Sequence, residues 1–242
     1  MQTLNPTRTI GEMVRKRPHL SRVFDKLGID YCCGGGKSLS EACAERGLDP
    51  KTVSEVLEAT EASRSVSSSE ADYGTMSMTE LADHIETTHH VYLRRELSRL
   101  EQMVQKVAEA HGQNHPEIRE LVNIFGGLKV ELEQHMMKEE QILFPAIREL
   151  EGANRETHFP FGTVANPIQM MEHEHDNAGN ALGRMRELTK DYAPPDDACN
   201  TYRAMLDGLR ELESDLHQHI HKENNILFPR AIEYEANHAG VA

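Results

Sequence analysis

The chain has 242 residues, with 40 Asp plus Glu against 26 Lys plus Arg and a formal charge of −14. Such an acid excess repels a phosphate backbone and argues against nucleic acid as a partner. No run of about 18 apolar residues exists to span a membrane, and the first residues carry no apolar signal core, so a soluble, cytoplasmic protein is expected.

Tryptophan is absent and aromatics make up only 5% of the chain, whereas Leu, Ala, Glu, Met, Arg and Lys recur. These are helix formers, and the composition predicts an all-α fold. Cys32, Cys33, Cys43 and Cys199 do not make a disulfide framework in a reducing compartment.

Residues 1–62 read as a small domain of several short helices. Thr9 with Glu12 and Ser38 with Glu41 fit capping boxes, and Asp49-Pro50 gives an N-cap followed by proline. Within it, Gly28-Ile29-Asp30-Tyr31-Cys32-Cys33-Gly34-Gly35-Gly36 is unusual. Adjacent cysteines close only a strained, labile disulfide, and three glycines leave the backbone free to expose the thiols. A redox or iron-handling role is expected for Cys32 and Cys33, the alternative being a turn with two small buried side chains. Cys43 and Cys199 lie within helical patterns and read as packing residues.

A serine-rich stretch, 63–76, reads as a linker. Residues 77–242 then carry four long helical patterns, roughly Ser77–Ala110, His115–Leu150, Asn166–Asp191 and Pro195–Glu235. Ser77 with Glu80 is a capping box, Asn166-Pro167 an N-cap with proline after it, and Pro116 and Pro195 suit first turns. Short connections imply an antiparallel four-helix bundle.

The second and fourth helices repeat one another. His135-Met-Met-Lys-Glu139-Glu-Gln-Ile-Leu-Phe-Pro145 matches His219-Ile-His-Lys-Glu223-Asn-Asn-Ile-Leu-Phe-Pro229 at seven of eleven positions. The offset of 84 residues points to a duplicated helical hairpin closing into a pseudo-symmetric bundle. Each copy carries a proline six residues after its glutamate, where the helix should kink or end.

Residues four apart share a helical face, so His135 pairs with Glu139 and His219 with Glu223. Leu128, Leu132, Ile142 and Leu143 flank the first pair at helical spacings, and Leu212, Leu216, Ile226 and Leu227 flank the second, so both pairs sit on apolar stripes. Burying carboxylates and imidazoles is costly unless each is compensated, and a metal cluster offers that compensation. On the third helix His175 belongs to the inward series Ile168, Met171, Ala178, Leu182 and Met185. On the first, His84 follows Leu81 by three.

The expected ligand set is therefore His84, His135, Glu139, His175, His219 and Glu223. Six ligands are too few for two separate sites but suffice for two adjacent metals if each glutamate bridges, leaving an open position at each. Imidazole with carboxylate suits iron or manganese better than the thiolate sets of structural zinc. The competing ferritin-like pattern, Glu86 to His89 and Glu172 to His175, leaves His135 and His219 unexplained. Glu131 and Asp215 precede ligand histidines by four residues and Glu174 adjoins His175; they read either as groups that orient imidazoles and carry protons or as a solvated acidic face. His89, His90, His217 and His221 read as solvated or supporting residues.

With these motifs in place, the whole chain resembles the iron-sulfur cluster repair di-iron proteins. Asp30-Tyr31-Cys32-Cys33-Gly34-Gly35 looks like the signature of that family's short N-terminal domain, and His135–Pro145 and Met171-Glu-His-Glu-His175-Asp look like its hemerythrin-like domain. The resemblance implies two non-haem iron ions, carboxylate-bridged and oxo- or hydroxo-bridged, on the six ligands above. It implies repair of iron-sulfur proteins damaged by nitric oxide or oxidative stress, through iron donation or reduction of nitric oxide to nitrous oxide. Nitric oxide or oxygen would be the small ligand, an electron donor would sustain turnover, and Glu131, Glu174, Cys32 and Cys33 would assist, in a monomer or homodimer. The alternative is a hemerythrin-like reversible binder or sensor. His173 departs from the small polar residue expected at its position.

Overall fold

The computed structural model describes residues 8–62, 73–153 and 157–238. Among these every regular element is helical, apart from two isolated bridges, Thr9 with Ser38 and Phe159 with Gly162. The fold is all-α, and no described helix is long and apolar enough to cross a membrane.

The N-terminal unit consists of α1 (Ile10–Lys16), α2 (Ser21–Leu27), α3 (Leu39–Glu45) and α4 (Pro50–Ala62). Its caps are local. Ser38 and Glu41 form the full reciprocal box, Thr9 accepts only from the Glu12 amide, and Asp49 Oδ2 accepts from the Thr52 amide at 2.9 Å. Ile10, Leu20, Phe24, Tyr31, Leu39 and Leu57 close a small core of their own. The serine-rich linker expectation falls largely on residues 63–72, outside the described residues.

The bundle follows as four long rods, each spacing its apolar residues along one face. Rod one is α5 (Met78–Ile85) and α6 (Val91–His111); rod two is α7 (Glu117–Lys138) and α8 (Phe144–Gly152). Rod three is α9 (Ala165–Leu188), and rod four is α10 (Asn200–Lys222) and α11 (Phe228–His238). Rods one, two and four are each joined by a five-residue π-helical turn, at Glu86–His90, Glu139–Leu143 and Glu223–Leu227.

Prolines 145 and 229 therefore neither end nor break their helices. Each falls at the start of the helical segment after a π turn. A widened turn relieves the clash of the proline ring with the carbonyl four residues back, and lets the missing N–H go unneeded. Two other boundaries also moved. Asn166 does not cap α9; the helix begins at Ala165, the Glu235 carboxylate accepts from the Val164 amide at 3.1 Å, and Asn166 Nδ2 donates to the Phe161 carbonyl. The same helix stops at Leu188, because Lys190, Asp191 and Tyr192 take left-handed backbone angles.

Two apolar clusters fill the bundle. One runs from Leu93 and Leu132 through Leu182 to Leu216, and the other gathers Ile85, Leu143, Phe144, Met171, Ile226 and Leu227. The π turns of rods two and four fall where one cluster gives way to the other, and the polar residues of the repeat lie there.

Candidate metal centre

All three π turns begin or end on a buried acid or imidazole. Glu139 and Glu223 open the turns of rods two and four, and His90 closes that of rod one. A π turn swings one side chain off the regular helical series, which is why such turns gather at functional sites. Here they aim His90, Glu139 and Glu223 inward together with His135, His175 and His219; all six are at most 3% exposed.

Two groups result, His90–Glu139–His219–Glu223 and His135–Glu139–His175–Glu223, in each of which the ligand atoms lie within 4.8 Å of one another. Both glutamates belong to both groups. Glu139 turns Oε1 toward His135 Nε2 (3.4 Å) and Oε2 toward His90 Nε2 (3.2 Å). Glu223 turns Oε1 toward His219 Nε2 (2.8 Å) and Oε2 toward His175 Nε2 (3.2 Å). Facing imidazoles meet through Nε2, His90 with His219 at 3.3 Å and His135 with His175 at 3.1 Å.

A cation fits this arrangement better than hydrogen bonding does. All four carboxylate oxygens of Glu139 and Glu223 are buried and lack a well-aligned hydrogen-bond donor, although an imidazole nitrogen lies near each. Buried charges without such partners are retained where a metal coordinates them. Burial disfavours both carboxylates and Glu223 repels Glu139, yet the surrounding imidazoles hold both below the usual carboxylate range. That direction is the one a ligand carboxylate needs.

Ligand imidazoles are oriented by their other nitrogen. His90 Nδ1 meets Glu140 Oε1 at 2.7 Å, His135 Nδ1 meets Glu174 Oε2 at 2.9 Å, and His175 Nδ1 meets Asn224 Oδ1 at 2.8 Å. His219 Nδ1 is buried and has no such partner. Burial opposes protonation of His135, but Glu139 and Glu174 outweigh it and lift its pKa to about 10.

Five of the six residues singled out by spacing meet at this centre; His84 does not. It is half-buried, its ring packs on Tyr73 and His89, and it belongs to neither group. Counting regular helical turns from Leu81 misleads, because the π turn that follows brings His90 inward instead. The repeat held the signal for His90. His175 precedes His219 by 44 residues, and the matching distance before His135 falls beside His90, whereas His84 lies 51 residues away.

The supporting acids also rearrange. Glu131 is exposed and belongs to neither group, Asp215 Oδ1 meets His89 Nδ1 at 2.9 Å, and Glu174 does orient an imidazole, but that of His135. Glu140 and Asn224, which follow the two glutamates, were not anticipated. Of the histidines read as solvated or supporting, His90 joins the centre, His89 and His221 are buried, and His217 pairs with Asp25 at 2.9 Å; His173, the departure from the family pattern, is exposed. Glu86, half of the ferritin-like pattern, pairs with Arg148.

Cys32 and Cys33 lie apart from this centre, in a third group with Asp30. Asp30 Oδ1 accepts from the Cys32 and Cys33 amides, each at 3.0 Å, and from the Cys32 thiol at 3.1 Å. Glycine freedom does not expose Cys32, which is buried; its hydrogen bond with Cys33 and its burial push the thiol pKa well up. The segment docks on rod four, where Asn225 Nδ2 donates to the Cys32 carbonyl at 2.9 Å. Gly11 and Gly35 are needed there, since a Cβ on either would stand 2.3 or 2.2 Å from Asn225 Oδ1. Cys199 is no packing residue: it is exposed at the N-cap of α10, with Sγ 3.2 Å from His111 Nε2.

A helical bundle presenting paired imidazoles and shared carboxylates is a hemerythrin-type, non-haem iron-binding architecture, and residues 81–231 match the Hemerythrin HHE cation binding domain. Residues 6–61 match a domain of unknown function, DUF542. Across both halves the chain is 39% identical over 223 residues to the iron-sulfur cluster repair protein YtfE of Escherichia coli O8 (strain IAI1), covering 92% of this chain and 96% of that protein. It is 38% identical, with the same coverage, to the proteins of that name from Citrobacter koseri (strain ATCC BAA-895 / CDC 4225-83 / SGSC4696) and Shigella boydii serotype 4 (strain Sb227). The chain belongs to this family of two-domain hemerythrin-type proteins.

Proposed function

We propose that this chain carries two iron ions on His90, His135, Glu139, His175, His219 and Glu223, and that it repairs damaged iron-sulfur proteins, as its relatives' name states of them, by giving up iron. Each carboxylate turns one oxygen toward each pair of imidazoles, so Glu139 and Glu223 would be shared by the two ions. When bound, a diferrous pair would supply two electrons for chemistry on a diatomic such as nitric oxide, and reduction of nitric oxide is the second reading. The residues of the chain hold and orient the metals: Glu140, Glu174 and Asn224 fix three imidazoles, and the two apolar clusters exclude water on either side.

The observation that favours repair over plain ligand binding is the docking of the Asp30–Cys32–Cys33 group on the turn that begins at Glu223. A reversible oxygen or nitric oxide carrier needs no second metal-capable group beside a bridging ligand. Cys32 and Cys33 would receive iron leaving the centre, the Cys32 thiol releasing its proton as the metal binds.

The test is anaerobic incubation of the 57Fe-loaded protein with a cluster-depleted iron-sulfur protein, following 57Fe in the rebuilt cluster. Transfer that is slowed by C32S/C33S supports the reading. No transfer, with nitrous oxide released near-stoichiometrically on adding nitric oxide to the diferrous protein, replaces donation with reduction. A stable nitrosyl adduct without either leaves a binder.

A further inference from the structure

The pseudo-twofold of the bundle relates the two metal positions, and its failures are specific. Lys138 corresponds to Lys222, Glu140 to Asn224, and Glu174, just before His175, to His89, just before His90. The contacts follow this correspondence. Lys138 Nζ pairs with Glu174, and Lys222 Nζ lies 2.8 Å from His89 Nε2. Glu140 and Asn224 each accept from the imidazole of an odd rod, His90 and His175.

The even rods differ. His135 Nδ1 donates to the Glu174 carboxylate, whereas His219 finds an imidazole, His89, in the equivalent place. The two rings lie parallel, 1° apart in plane with centroids 5.3 Å apart, so His89 covers His219 by stacking and accepts nothing from its Nδ1. The carboxylate on that side, Asp215, stands one ring further out, on His89. One position therefore has both imidazoles fixed by acceptors; the other has only His90 fixed, by a Glu140 that Arg94 also engages through both oxygens.

Partners behind a ligand histidine are typically worth about 10- to 100-fold in metal affinity, through orientation and basicity. We propose that the two positions are inequivalent and that the metal between His90 and His219 is the exchangeable one, the iron the protein would give up. This rests on the donor reading above. It adds which position empties and why: an imidazole that is packed but not tethered can rotate away from the metal, while its counterpart His135 cannot without breaking the bond to Glu174.

The test is release of iron from the fully loaded, reduced protein to an excess of a ferrous chelator, read optically as iron freed against time. Two phases of one iron each are expected, the slow phase alone surviving in H90A. H89E, which restores an acceptor beside His219, should slow the fast phase about 10-fold or more, and E174Q should accelerate the slow phase by a similar factor. E174Q keeps the shape of the side chain, and circular dichroism of each variant confirms folding. A single phase for both irons, or E174Q acting on the fast phase alone, overturns the proposal. The readout is independent of donation: two phases with no 57Fe reaching a cluster-depleted protein would sink the donor reading and leave the inequivalence standing.

Discussion

Replacing His90 with alanine, beside the same change at His84, distinguishes the two histidines that rod one offers. His90 is fully buried, with Nδ1 on Glu140 and Nε2 facing Glu139 and His219, so its loss leaves one metal position with a single imidazole and two carboxylate oxygens. Since removing a partner behind a ligand already costs up to about 100-fold in affinity, removing the nitrogen itself costs more than that, or more than about 2.7 kcal/mol at that position. Iron content should fall from about two ions per chain to about one, the ion between His135 and His175 remaining. H84A removes a half-buried ring packed on Tyr73 and should cost about 0.5–1.5 kcal/mol of stability with both irons kept. Metal analysis after anaerobic loading and desalting reads the first, calorimetry the second. Loss of iron in H84A with full loading in H90A would refute the assignment, and with it the reasoning that the π turn, not the regular helix, aims the ligand.

Three further outcomes follow from the geometry. Glu139→Gln withdraws an anionic bridge common to both groups, so metal analysis should find both ions depleted, unlike H90A; retention of one tightly held iron would contradict bridging. Gly35→Ala puts a Cβ 2.2 Å from Asn225 Oδ1 and 2.8 Å from the Tyr31 carbonyl, which should cost about 1–3 kcal/mol in thermal unfolding, whereas Gly36→Ala, meeting nothing within 4 Å, should be silent. Glu151 accepts from the Met78 and Thr79 amides at 2.7 and 2.8 Å; burial raises its pKa, but these bonds outweigh it and leave it below 4.5. Because the folded pKa is the lower one, this stabilisation is present above pH 4.5 and is lost as pH falls through the depressed value, so Glu151→Gln should lower Tm near neutral pH by the equivalent of about 0.5–1 kcal/mol and converge with the parent in acid.

Much of the bundle was legible because its signals are local and periodic. The four apolar stripes, the Ser77 box and the repeated His-x-x-x-Glu pairs each follow from one turn of helix, and the structure keeps them. What escaped is longer in range. Glu235 capping Val164 joins residues 71 apart, and Glu151 accepting from Met78 joins residues 73 apart, so neither leaves a mark in a window of a few turns. The buried Cys32 likewise follows from docking on Asn225, 193 residues away, and not from the glycines beside it.

The misplaced ligand has a different origin. Regular helical counting assumes 3.6 residues per turn, and each π turn accommodates an extra residue that shifts the facing of every later side chain by about 100°, just over a quarter turn. On rods two and four the count still succeeds, because the histidine lies one α-helical turn before the glutamate and the π turn opens only at that glutamate. On rod one the inward imidazole closes the turn, so the count selects His84 while His90 arrives beside Glu139 and His219. The prolines at 145 and 229 announce two of the three π turns; the turn at Glu86–His90 has none. Duplication is the information that survives this: whatever each rod does locally, the two hairpins must bring their imidazoles to the same pair of buried glutamates. The near-equal spacing of the imidazoles in each hairpin is therefore a stronger constraint than periodicity within any one helix.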